Sequence, residues 1–196
     1  MNTKKAPCGF TLVELVVVVG IAALISAVAL ANFPNFRDRI AINKESGKVA
    51  VALRNAQSFS FGVRQFNPPP GQQGVCEAFQ SNFPSYGVSF TASAAEYYLF
   101  GDINCNALFE GAAEEVKEFL LEGGVRIAGI CVNIYDALPT CGEPTVDIVY
   151  ARPFPQVKIS SSGVGRASAR LELQSHDGAI TRTVVILNTG QVSVEN

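Results

Sequence analysis

Glu14 is the one ionisable side chain in a run of 24 residues from Phe10 to Phe33. A carboxylate within such an apolar segment is costly, about 2.5–3.5 kcal/mol at the centre of a bilayer and less towards its edge. It therefore calls for a cation at the same depth. A second group lies in Asp102, Asn104, Asn106 and Glu110. Oxygen-bearing side chains at relative positions one, three, five and nine match a calcium loop, because alternate residues of a tight turn point at one centre. Two departures weaken the match: Ala107 stands at the sharp-turn glycine, and Ala113 stands at the bidentate acid. Glu114 or Glu115 would fill the latter place only after a shift of register. The competing reading, a polar turn whose asparagines cap their own backbone, is preferred. His176, the sole histidine, falls in a turn beside Asp177 and Gly178. With no second histidine and no nucleophile motif, no catalytic triad assembles, and an enzyme is not expected.

The elements around Glu14 sharpen its meaning. At about 1.5 Å per residue the apolar run makes roughly 36 Å of helix, enough to cross a bilayer core of about 30 Å. Lys4 and Lys5 precede it in a short basic leader ending at Gly9. An ordinary secretory signal would use Ala29, Leu30 and Ala31 as its cleavage site, but the run exceeds the usual apolar region and carries an acid at its entrance. A plain membrane anchor is the other alternative. Gly9, Phe10, Thr11, Leu12, Val13 and Glu14 together resemble the prepilin cleavage and methylation signature of type IV pilins and type II secretion pseudopilins. The resemblance implies a leader over residues 1–9, cleavage after Gly9 by a prepilin peptidase, and methylation of the new N-terminus at Phe10. It also implies an assembly role for Phe10 and Glu14, the amine of one subunit pairing with the carboxylate of its neighbour and setting the axial register.

Composition agrees with an exported chain. The 196 residues suit one domain plus an anchor. Loss of the leader changes the balance from 15 to 13 basic residues against 17 acidic ones, a net charge of −4. No basic block attracts a polyanion, so nucleic-acid binding is not expected. Cys8 would leave with the leader, while Cys76, Cys105, Cys131 and Cys141 remain, an even number suited to disulfides in an oxidising compartment. Four cysteines allow three connectivities. Cys131–Cys141 with Cys76–Cys105 is favoured, and no pair has the close spacing of a zinc site.

Residues 10–33 read as the transmembrane and assembly helix, and residues 34–66 as its amphipathic continuation. Pro34 should kink or interrupt the helix. Phe36, Ile40, Val49, Leu53 and Phe59 recur at helical spacing. Gly47 marks a candidate second bend, and the helix should end near residues 58–63. The proline cluster after Asn67 opens residues 67–196, whose short apolar runs between turn residues predict an antiparallel β domain. Gly123 and Gly124 suit a two-residue hairpin joining the runs 116–121 and 125–132. The fold class is α+β, a long N-terminal helix packed on an antiparallel β domain.

The body of the chain is similar to GspH/FimT-type minor pilins and pseudopilins in Tyr86–Phe90, Tyr97–Asp102 and Thr183–Val194. That resemblance implies a structural subunit of a pilus or secretion pseudopilus. It would be held in the inner membrane as a single-pass protein and then assembled into an extracellular or periplasmic filament. Its partners would be other pilin subunits, the peptidase and methyltransferase, and the inner-membrane assembly platform. No cofactor is expected, calcium being the alternative. A tip adhesin or a DNA-binding competence pilin is the alternative function.

Overall fold

A computed structural model describes residues 9–68, 83–152 and 156–195, and only the backbone of residues 30–35. The chain divides into two compact units, Met1–Arg37 and Asp38–Asn196. Helix α1, Leu12–Phe61, contributes to both.

In the first unit, Thr11 caps the helix. Its hydroxyl accepts the Glu14 N–H at 3.3 Å, and its carbonyl accepts the Leu15 N–H at 3.2 Å. A threonine followed three residues later by a glutamate is a helix-start pattern in its own right. Leu12–Ala29 is long and apolar enough to cross a membrane, with a mean hydropathy of 2.7. Its large side chains are exposed throughout. Helix α1 runs on through Pro34, so the interruption anticipated there does not occur.

In the second unit, α1 buries Ile42, Val49, Ala52, Leu53 and Ala56. Glu45 and Ser46 lie on the same buried stripe. This corrects the face read from spacing, since Phe36 and Ile40 are more than half exposed. Gly47 introduces no break. The helix ends with Gly62 and Arg64 N–H groups on the Ser58 and Phe59 carbonyls, Val63 taking the left-handed conformation.

Two antiparallel sheets follow. The first contains β1 (Ser85–Thr91), β2 (Glu96–Asp102), β3 (Glu115–Leu120), β6 (Thr145–Ala151), β7 (Gln156–Ser161) and β8 (Val164–Arg166). Its spatial order is β3-β2-β1-β6-β7-β8. The second contains β4 (Arg126–Val132), β5 (Thr140–Cys141), β9 (Ser168–Gln174), β10 (Thr181–Leu187) and β11 (Val192–Glu195), in the order β11-β10-β9-β4-β5. Every pairing is antiparallel, as the turn-punctuated pattern predicts.

Alternation sends one set of side chains from each sheet into a common core. Tyr86, Val88 and Phe90 face the interior beside their cross-strand partners Tyr150, Ile148 and Val146. Leu171 and Leu173 of β9 and Val184 and Ile186 of β10 join from the second sheet, and the α1 stripe completes the cluster. The outer face of the first sheet is roofed by the segment between β2 and β3. There Ala107 and Phe109 pack on Phe100 and Val149, which is why β1 and β6 are buried on both faces.

The turn at Gly123 and Gly124 does not form the anticipated hairpin. β3 pairs with β2, whereas β4 pairs with β5 and β9, so the turn carries the chain from one sheet to the other. Both glycines have positive φ. A Cβ on Gly123 would stand 2.8 Å from Ala41, and one on Gly124 would stand 2.7 Å from the His176 Cβ.

Candidate functional site

The N-terminal group is built on the first turn of α1. Gly9 and Phe10 lie outside the helix and are exposed, Phe10 at 81 %. Glu14 is the acid of the first helical turn and is exposed among apolar side chains that are themselves exposed. This places a candidate processing site, a helix cap and a lone carboxylate within six residues, directly before a segment able to span a bilayer. Such a helix exposes its apolar face until lipid or another helix covers it.

The four residues of the candidate calcium loop are brought together by their own hydrogen bonds, as the preferred polar turn would have them. Asp102 Oδ2 accepts the Ala107 N–H at 3.1 Å. Asn104 Oδ1 accepts the Asn106 N–H at 3.2 Å, and Asn106 Oδ1 accepts the Leu108 N–H at 2.8 Å. Both amide groups then donate to Glu110, Asn104 at 2.8 Å and Asn106 at 2.9 Å. Asp102 Oδ2, Asn104 Oδ1 and Asn106 Oδ1 are thus turned onto backbone donors, as in an Asx turn, and the Glu110 oxygens onto side-chain amides. Ala107 adopts φ 60° where a calcium loop would carry glycine. Among the described residues, no group of three or more His, Cys, Asp or Glu is placed to hold a metal ion. Melting of the protein is accordingly expected to be the same in millimolar calcium as in chelator. An upward shift of several degrees that Asp102→Ala abolishes would restore the ion.

The sequence does not reveal the acids that hold this segment down. Asp102, Glu114 and Asp147 are all buried. Glu114 Oε2 accepts the Glu110 N–H at 2.9 Å. Asp147 accepts from Ser89, its cross-strand neighbour, and from the Phe109 backbone. Three carboxyls thus anchor one roof segment. Burial pushes all three above the ordinary carboxylate range, Glu114 to about 7, and the Asp102 charge raises both of the others. The alternation of Val146, Ile148 and Tyr150 puts Asp147 on the outer face of its sheet. What spacing does not disclose is that this face has a roof.

Cys131 and Cys141 are directly opposed on β4 and β5 and are joined by a disulfide. Cys105 is also disulfide-bonded. Cys76, like Lys4, Lys5 and Cys8, lies outside the described residues. The bridge across ten residues should stabilise the domain by about 2–3 kcal/mol by restricting the unfolded chain. Denaturant unfolding of the Cys131→Ala/Cys141→Ala variant measures this; unchanged stability would contradict it. His176 is exposed in its turn against Gly124 and has no partner arrangement for catalysis among the described residues.

A family profile for the prokaryotic N-terminal methylation motif matches residues 4–30. No curated protein and no solved structure matches the chain. The motif indicates a type IV pilin-like or pseudopilin precursor of the kind processed by prepilin peptidase. It points to a structural protein, and together with the apolar helix it is consistent with insertion in a membrane followed by entry into a filament.

Proposed function

We propose that this chain is a minor pilin or pseudopilin of the GspH/FimT type, processed after Gly9 and assembled through α1. The observation that carries the reading is the methylation motif over residues 4–30, set on an exposed helix able to span a bilayer and followed by a separately cored β domain. Glu14 has an assembly role: its carboxylate takes the methylated amine of Phe10 on a neighbouring subunit. The disulfides suit the oxidising side of the membrane. Partners are other subunits, the processing enzyme and the membrane platform that drives assembly. Shearing and purifying filaments from cells making a tagged version tests the role. The tagged chain should co-purify in substoichiometric amount relative to the principal subunit. Its retention in the membrane of filament-bearing cells would overturn the assignment.

A further inference from the structure

A pocket of 420 Å³ opens where the start of β10 meets α1. Its polar lining comes from Arg39, Asn43, Thr181 and Arg182, over an apolar floor that includes Ile42 and Ile180. Arg39 and Asn43 are one helical turn apart and share a face. Arg182 donates from Nε to Asn43 Oδ1 at 2.8 Å, which fixes the guanidinium plane. That contact uses the only side-chain acceptor of Asn43 and leaves its amide N–H groups and the Arg182 terminal nitrogens as donors. The Thr181 hydroxyl adds another. No carboxylate lines the pocket. The nearby Asp177 is turned onto the Ser175 hydroxyl at 2.6 Å and the Ala179 N–H at 3.0 Å.

Farther along α1 two lysines are neutralised by carboxylates. Lys44 pairs with Glu122 at 2.7 Å, and Lys48 contacts Glu45 and Glu122 at 2.9 and 3.0 Å. Among the described residues, Arg39 and Arg182 form no ion pair. Two uncompensated guanidinium groups with amide and hydroxyl donors between them match the oxygens of a phosphate, which arginine binds with paired N–H groups.

We propose that this pocket binds a phosphate group. Free phosphate and the headgroup of an anionic phospholipid share that chemistry. The lipid source is favoured by chain length: Arg39 lies six residues after Phe33, the end of the apolar run, so the intervening chain spans at most about 20 Å. The phosphate chemistry stands apart from the filament reading, whereas the lipid source rests on its membrane anchor.

The test uses the full chain in detergent micelles, with two probes. Native mass spectrometry compares retention of phosphatidylglycerol with that of phosphatidylcholine, and calorimetry follows titration with inorganic phosphate. Arg39→Gln and Arg182→Gln should each lower retained phosphatidylglycerol at least fivefold, while Arg54→Gln, which removes an exposed charge outside the pocket, leaves it unchanged. Arg39 makes no structural contact in the pocket, so its variant stays informative if Arg182→Gln unfolds. Saturable phosphate binding lost in Arg39→Gln, without lipid enrichment, would support the pocket and assign it to a soluble phosphate. Wild-type binding of both probes by Arg39→Gln, or an equal loss in Arg54→Gln, would overturn the proposal.

Discussion

Glu14→Val is expected to insert in the membrane at least as well as the parent and to fall at least tenfold in filament recovery. Insertion improves because valine removes a charge from an apolar segment. Recovery falls because the carboxylate is the one ionic group in the run, the only feature there able to fix the axial position of one smooth helix against another. A tenfold loss corresponds to about 1.4 kcal/mol, well within the worth of an ion pair in a low-dielectric bundle. Glu14→Gln separates charge from helix capping. Glutamine serves at the third position of a capping pattern as well as glutamate does, so the cap formed with Thr11 survives while the charge goes. Both variants should be deficient. Wild-type recovery of either would remove charge pairing from the account.

Glu114→Gln is expected to raise the stability of the protein by about 3 kcal/mol at pH 8 and to change it little below pH 4.5. Burial lifts this carboxyl from an ordinary value of 4.5 to about 7 in the folded state. The folded chain therefore holds the proton more tightly than the unfolded one, and folding takes up a proton between those values. The destabilisation is absent below pH 4.5, grows as the pH rises to 7 and is constant above; a displacement of this size is worth about 3 kcal/mol. Asp102 and Asp147, raised by the same cause, act in the same direction. Glu122, held down to about 2 by Lys44 and Lys48, has the opposite sign, but its window lies below pH 4.5. Glutamine keeps an oxygen for the Glu110 N–H, so the roof segment stays anchored. Melting curves of parent and variant at pH 4.5 and 8 measure the difference, about 6–12 °C at the higher pH. Curves that remain parallel at both would show that Glu114 is not held neutral by its burial.

Much of this architecture is legible in the chain, and the failures have physical causes. The apolar runs 116–121 and 125–132 between turn residues do become strands, β3 and β4. Strands β5 and β8 are two and three residues long and leave no periodic signal. Gly123 and Gly124 correctly mark a turn, but turn chemistry says nothing about which strands the flanking residues pair with. On α1, apolar spacing favoured Phe36 and Ile40. The buried stripe instead includes Glu45 and Ser46, polar residues whose burial depends on the sheets packed over them. Asn104 and Asn106 show the ambiguity at its plainest. The same alternation suits a cation or an Asx turn, and only the direction of each side-chain oxygen decides between them. The N-terminal signature is legible without any tertiary structure, because it is a local pattern of residue types next to an apolar segment.

The most direct test of the pilin-type assignment is the mass of the mature N-terminus. The protein should be purified from a cell carrying its processing enzymes, digested, and its first peptide sequenced by mass spectrometry. The mature chain should begin at Phe10 and carry a single methyl group on its amine. A chain beginning at Asn32, cut after Ala29, Leu30 and Ala31 by a signal peptidase, would contradict the assignment, as would an unprocessed chain retaining Lys4 and Lys5.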